Sequence, residues 1–223
     1  MFHVEQPRES ARDVLLAGAR QLGLSLSDQQ VSALLTHLHE LLAWNRKINL
    51  TAIRTERAIV VKHFLDSLMG SCALTPGRKG SLLDVGSGAG FPGIPLKIMH
   101  PELEVSLLEP NQKKTAFLRH VIGTLHVPQL FALPRKLEDL FEDGRALRRF
   151  TYLVTRAVKI DSMLPLFRPL LEGDGYTLLF RAHPFDPEVA AEGKDLSFKL
   201  VREVHYSLPF GFGERVISVL AAT

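Results

Sequence analysis

The residues most able to do chemistry lie in one stretch, Ser81 to Pro95, which reads S-L-L-D-V-G-S-G-A-G-F-P-G-I-P. An apolar run ends in Asp84, and Gly86, Ser87, Gly88, Ala89 and Gly90 follow directly. Glycines at alternate positions permit positive φ and let a ligand approach the backbone closely. A dinucleotide loop reads G-x-G-x-x-G and lays a pyrophosphate on the next helix N-terminus. Here Phe91 stands where the third glycine of that pattern belongs, so a pyrophosphate ligand is disfavoured. A second acid, Glu109, ends the run V-S-L-L-E-P-N. An acid at a strand tip about 20 residues beyond such a loop is placed to accept both hydroxyls of a ribose. Further on, Leu137, Glu138 and Asp139 follow another apolar run. Leu137 can pack on a base while a backbone group or an acid such as Glu138 reads an amino group, or the two acids can simply cap a short helix.

These residues need a frame that brings strand ends together. From Ser81 onward, short apolar runs alternate with helical patterns. Strands are predicted at Leu82–Val85, Val105–Leu108, Leu130–Leu133, Tyr152–Val154, Tyr176–Phe180, Leu200–Tyr206 and Val216–Leu220. Helices are predicted at Pro95–Met99, Lys113–Leu125, Leu137–Phe141 and Ser162–Leu171. Such alternation implies parallel strands with right-handed crossovers. The last two strands are joined by P-F-G-F-G, too short for a helix, and should form an antiparallel hairpin. The fold class is α/β, a doubly wound, Rossmann-like sheet of seven strands with an antiparallel last hairpin. Ligands bind such sheets outside the carboxyl ends of the strands, where Asp84 and Glu109 fall.

The preceding sequence reads as helical. Ser10 caps a first helix, and Ser27 with Gln30 has capping-box spacing. Val31, Leu34, Leu35, Leu38, Leu41 and Leu42 form an apolar face. A third helix is expected from Thr55 to Cys72, with Cys72 buried. The organisation is therefore a helical extension over residues 1–78 packed on an α/β domain over residues 79–223.

Composition narrows the class further. A single cysteine excludes an internal disulfide and a multi-cysteine metal cluster, so no metal is expected. No apolar run reaches membrane-spanning length, and the amino terminus lacks a signal-peptide pattern, which favours the cytoplasm. The net charge of +3 permits a phosphate-bearing partner without requiring one.

The register G-x-G-x-G after an acid looks like the first motif of S-adenosylmethionine-dependent methyltransferases. That cofactor carries an ammonium and a sulfonium and no phosphate, and Asp84 can serve those charges directly or through water. The likeness extends along the chain. N-L-T-A-I-R at Asn49–Arg54, H-F-L-D-S-L at His63–Leu68 and the glycine loop occur in that order. K-K-x-x-F-L-R at Lys113–Arg119, T-R-A-V at Thr155–Val158 and G-x-G-E-R at Gly211–Arg215 follow. The sequence resembles the RsmG (GidB) family of bacterial methyltransferases. The resemblance implies S-adenosylmethionine as cofactor, 16S ribosomal RNA or the small ribosomal subunit as partner, and 7-methylguanosine as product, made by a monomer. It implies cofactor binding by Asp84, Gly86, Ser87, Gly88, Gly90, Phe91, Glu109, Leu137, Glu138 and Arg156. It implies Arg156 and Arg215 as the residues that position the target, and Lys136, Arg181, Arg215 and Phe212 as RNA contacts, with Phe210 an alternative stacking ring. His63 and Asp66, three apart, either line the mouth of the site or fix the helix on the sheet.

Guanine N7 has a free lone pair, so no catalytic base is required. This chain departs from the family at Lys136, at Lys159 and at Arg181-Ala182. Those departures keep two other readings open: an RNA-binding module with the cofactor fold but little turnover, and a methyltransferase with another RNA target. A nicotinamide-dependent oxidoreductase is disfavoured by Phe91.

Overall fold

Helix starts follow local chemistry. In the computed structural model, which describes residues 9–142, 145–156, 163–185 and 198–223, helix α1 (Ala11–Gln21) begins where the Ser10 hydroxyl accepts the Asp13 N–H. Helix α2 (Asp28–Asn45) begins at a full capping box, with Ser27 Oγ accepting from Gln30 N and Gln30 Oε1 accepting from Ser27 N. The expected third helix is one continuous helical segment of mixed pitch. It runs as α3 (Glu56–Ile59), a π-helical stretch (Val60–Leu65), α4 (Asp66–Leu68) and a 3-10 turn (Met69–Cys72). Cys72, expected to be buried, is exposed: the tightened last turn carries it past the inward face that Leu68 and Met69 occupy.

All seven expected strands form. They are β1 (Gly80–Val85), β2 (Leu103–Leu108), β3 (Leu130–Leu133), β6 (Phe150–Arg156), β7 (Leu171–Arg181), β8 (Phe198–Leu208) and β9 (Gly213–Ala222). They lie in one sheet in the order β3-β2-β1-β6-β7-β9-β8. Neighbours from β3 through β7 are parallel, and β9 runs antiparallel to both β7 and β8. Two pieces escaped sequence reading, strands β4 (Phe141–Glu142) and β5 (Arg145–Ala146), which pair as a separate small hairpin. Two-residue strands are too short to show alternation. Helices α5 (Gly93–Met99) and α6 (Gln112–Leu125) cross over from β1 and β2. The expected helix from Ser162 is present over its described part as α7 (Leu164–Phe167) and a 3-10 turn (Arg168–Leu170). Ser162 itself, Ala157, Val158, Lys159 and Arg8 lie outside the described residues.

Alternate strand residues face two cores. Leu82, Val105, Leu107, Tyr152, Val154, Leu178 and Ile217 meet α1, α2, the third helical segment, α5 and α6. Leu83, Val85, Leu108, Leu153 and Leu179 face Leu164, Phe167 and Leu170. The amino-terminal helices thus share a core with the sheet. Chain order reverses between β1 and β6, and the crevice of a doubly wound sheet opens at that switch point. Asp84 lies opposite Val154, and Val85 opposite Thr155, at the same end of the two strands.

Candidate methyl-donor and acceptor site

The glycine loop leaves β1 under tension between packing and access. Gly86, Gly88 and Gly90 have φ of 77°, 57° and 90°, values a side chain adopts only at a cost. The glycines divide by task. A Cβ on Gly90 would collide with Ile94, and one on Gly93 with Leu107 and Asp84. A Cβ on Gly88 would meet only the Gly86 carbonyl, 4.0 Å away. Gly90 and Gly93 therefore close the loop onto the sheet, whereas Gly88 leaves open space for something else. The turn is held by Gly86 N and Ser87 N donating to Leu108 O, by Gly90 N and Phe91 N donating to Ser87 O, and by Ser87 Oγ donating to Asp84 O.

Two carboxylates flank this turn. Glu109, nearly buried, accepts from Gly88 N through Oε2 at 3.0 Å and from Asn111 N through Oε1 at 2.9 Å. Each oxygen keeps a second lone pair, and one backbone N–H on each oxygen fixes the orientation of the carboxylate. Asp84 is fully buried. Its Oδ2 accepts from Gly93 N at 2.8 Å, and its Oδ1 has no hydrogen-bond partner among the described residues. Burial pushes its pKa up to about 7, against the opposing pull of the Gly93 N–H and the Arg156 charge. A half-satisfied buried carboxylate beside an open glycine turn suits a cation. Leu137 is buried and Glu138 exposed. The 3-10 turn Glu138–Leu140 has no side-chain cap; Asp139 Oδ2 instead accepts from Lys136 N at 2.9 Å and ties the turn to that residue.

Phe91 is the pivot between loop and helices. Its ring lies between two imidazoles, His37 at 4.8 Å and His63 at 4.9 Å, each at 18° to it. His37, on the apolar face of α2, is buried and bonded through Nε2 to Ala89 O at 2.9 Å. Desolvation pushes the His37 pKa down to about 4. A neutral ring that donates to a carbonyl must carry its proton on Nε2. Sequence reading missed His37. The signal was present: a polar residue one position before Leu38 and three after Leu34, inside an inward-facing stripe.

Arg156, at the end of β6, is held by the third helical segment. Its Nη1 donates to Lys62 O at 2.8 Å and to Asp66 Oδ2 at 3.1 Å, and its Nη2 meets His63 Nδ1 at 2.7 Å. Its guanidinium lies 5.5 Å from the Phe91 ring centre. Burial and the Arg156 charge push the His63 pKa down to about 3, so His63 is a neutral acceptor at Nδ1 and donates from Nε2 to Thr51 Oγ1. On the other side of Asp66, Tyr206 Oη donates to Oδ1 at 2.8 Å, and Arg215 Nε stands 3.9 Å from the same oxygen. The structure thus brings Arg156 and Arg215 to one carboxylate and joins His63 and Asp66 to them. Arg181 lies elsewhere, 5.4 Å over Phe185 at the end of β7, and Lys136 is exposed beyond β3. Phe212 faces Lys62 at 5.5 Å and Phe210 faces Arg57 at 4.4 Å.

Comparison with known proteins places this arrangement among relatives. Residues 30–212 match the family model GidB, described as rRNA small subunit methyltransferase G. A ribosomal RNA small subunit methyltransferase G of Geotalea uraniireducens is 37% identical over 95% of this chain and 97% of its own. One of Roseiflexus sp. is 42% identical over 80% of this chain and 76% of its own. Among solved structures, a ribosomal protein L11 methylase from Lactobacillus delbrueckii subsp. bulgaricus superposes with a TM-score of 0.54. It covers 73% of this chain and 79% of its own at 13% identity, a likeness of fold alone.

Proposed function

We propose, since the chain belongs to the GidB family of rRNA small subunit methyltransferase G, that it methylates small-subunit ribosomal RNA at guanosine N7 with S-adenosylmethionine as donor. The observation that carries the donor half is Asp84, buried and half-satisfied beside the open turn at Gly88. When bound, the donor supplies an electrophilic methyl on a sulfonium. The chain's own residues divide the remaining work. Glu109, braced by Gly88 N and Asn111 N, offers its free lone pairs to the ribose hydroxyls. Asp84 balances the cationic methionine end. Leu137 packs beside the base. Ser87 and Gly90 hold the loop shape.

On the acceptor side, Arg156 and Arg215 orient the guanine, whose O6 and N7 form an acceptor edge that guanidinium N–H groups recognise. Lys136, Arg181 and Phe212 extend the contact with the RNA. Guanine N7 carries its own lone pair, and a bound sulfonium would release its methyl with the bonding pair left on sulfur, so no side chain would have to remove a proton. Alignment does most of the work. His63 fits that account, because its Nδ1 is already spent on Arg156 and it cannot serve as a base.

Transfer of labelled methyl from S-adenosylmethionine to unmodified small-subunit RNA tests this reading, with intact subunits, assembly intermediates and naked RNA as acceptors. One labelled guanosine, depurinating as an N7-methylated base does, is the expected result. No transfer to any of the three acceptors overturns it. A cytoplasmic site of action follows from the substrate.

A further inference from the structure

We propose that Asp66 is a positioning residue for methyl transfer: it gathers Arg156 and Arg215, from different strands, into one acceptor pocket. The role rests on the methyltransferase reading above. Asp66 is buried at the first position of α4, directly after the π-helical stretch. π-Helical turns are rare and concentrate at functional sites. Here the wide turn presents Lys62 O, His63 Nδ1 and Asp66 Oδ2 to one guanidinium. Three acceptors from one helical segment hold the Arg156 guanidinium, whose side chain is 17% exposed.

The second arginine is held differently. Tyr206 and Arg215 stand directly opposite each other across the β8–β9 hairpin. Tyr206 makes the hydrogen bond to Asp66 Oδ1, and Arg215, at 3.9 Å, is too far for one. Charge draws Arg215 toward Asp66; its Nη1 donates to Glu214 O at 2.6 Å, while its Nε and Nη2 make no hydrogen bond among the described residues and are available to a ligand. Two guanidiniums this close repel unless an anion lies between them, and Asp66 is the anion that faces both. The site therefore has one fixed cation and one adjustable cation. The fixed one suits a base edge that must be aligned to a fraction of an ångström. The adjustable one suits the flanking phosphate or the same base as it arrives. His63 extends the linkage, because its ring stacks on Phe91 of the glycine loop and ties acceptor alignment to donor position.

The test is a double-mutant cycle on single-turnover transfer at saturating RNA and cofactor. Asp66→Asn keeps the shape and an acceptor for Tyr206 but removes the charge. The expected rate loss is about a hundredfold, the size of a small misplacement of reacting groups, with cofactor affinity changed less than about threefold. In an Arg156→Gln background, the same substitution should cost no more than about tenfold, the share that acts through Arg215, because the rest of its effect runs through Arg156. The Asp66→Asn/Arg156→Gln pair also buries no unpaired charge, so it guards against a fold failure in the single variant. A wild-type rate in Asp66→Asn, or a loss that fully reappears in the Arg156→Gln background, overturns the role. So does a loss explained by the unfolded fraction measured by circular dichroism. A wild-type chain that methylates no RNA overturns the methyltransferase reading, and this role with it.

Discussion

Asp84 gives the most direct quantitative prediction. Its pKa stands at about 7 because burial disfavours the charged form, whereas the proposed cationic ligand would need that charge. Binding should therefore be linked to proton release. At about pH 5.5 about one molecule in thirty carries a charged Asp84, and at about pH 7 about one in two. If the bound cation returns the carboxyl to its ordinary range, affinity should rise about fifteenfold between these two values, or ~1.6 kcal/mol. An α-amino group stays protonated over this window. His37 and His63 stay neutral across it, with pKa values of about 4 and about 3. The sign is opposite for the stability of the unliganded fold. The contribution of Asp84 to the unliganded fold is fully present below its unfolded pKa and is lost as pH rises through about 7. A bound cation restores it. Isothermal calorimetry in two buffers of different ionisation enthalpy measures both quantities. About 0.9 proton should leave per cofactor bound at about pH 6, and Asp84→Asn should abolish both the release and the pH slope. Affinity that is flat or falls from about pH 5.5 to 7, or binding without proton release, refutes the assignment of Asp84 to the cation.

Three further predictions bear on neighbouring residues. Glu109→Gln leaves one acceptor oxygen where Gly88 N, Asn111 N and the ribose hydroxyls need two. Cofactor affinity should fall by about 1.5–3 kcal/mol in calorimetry. The glycines should separate stability from binding. Gly93→Ala, which drives a methyl into Leu107 and Asp84, should lower unfolding free energy by about 1–3 kcal/mol, read by urea denaturation. Gly88→Ala should cost about 1–2 kcal/mol of strain from its φ of 57° but should lose cofactor affinity well beyond that amount. Finally, His37 should shape the acid limb of stability. Its folded pKa of about 4 lies below the unfolded value, so its contribution is present above about pH 6.5 and lost as pH falls through about 4. Thermal melts of His37→Asn should show a shallower decline over that range than the wild type. An equal or steeper decline would remove His37 from the account.

The glycine-loop half of the candidate site was legible because its residues are local in sequence. Asp84, Gly86, Gly88 and Gly90 stand within seven consecutive positions, and Glu109 ends the next strand. Strand period and loop spacing place all of them at one sheet edge before any tertiary contact is known. The same logic found the seven strands and the closing hairpin. It failed at Cys72, where a change of helical pitch altered which way the last turn faces. It was silent on the β4–β5 hairpin, too short for a pattern. Glu138 and Asp139 show the limit of type without geometry. Both are acids in the right loop, but Asp139 is engaged with Lys136 N and Glu138 is exposed.

The cluster of Arg156, Asp66, Tyr206 and Arg215, the proposed acceptor half, was only partly legible, because its parts meet through sheet order. Asp66 and Tyr206 are 140 positions apart, and Arg156 lies 90 from Asp66. No spacing rule joins them. Their meeting requires β6 beside β1, β9 inserted between β7 and β8, and a helical segment laid against that edge. The three-residue spacing of His63 and Asp66 suggested a shared face but not its occupant. What the face holds is Arg156, a residue singled out separately. The consequence is physical as well as methodological. A donor loop built from adjacent residues can keep its shape while the acceptor pocket changes. The acceptor pocket depends on the amino-terminal helices for its anion, on β6 for its fixed cation and on the hairpin for its adjustable one. Substitutions in any of the three should alter which RNA is methylated, or how fast, before they alter cofactor binding.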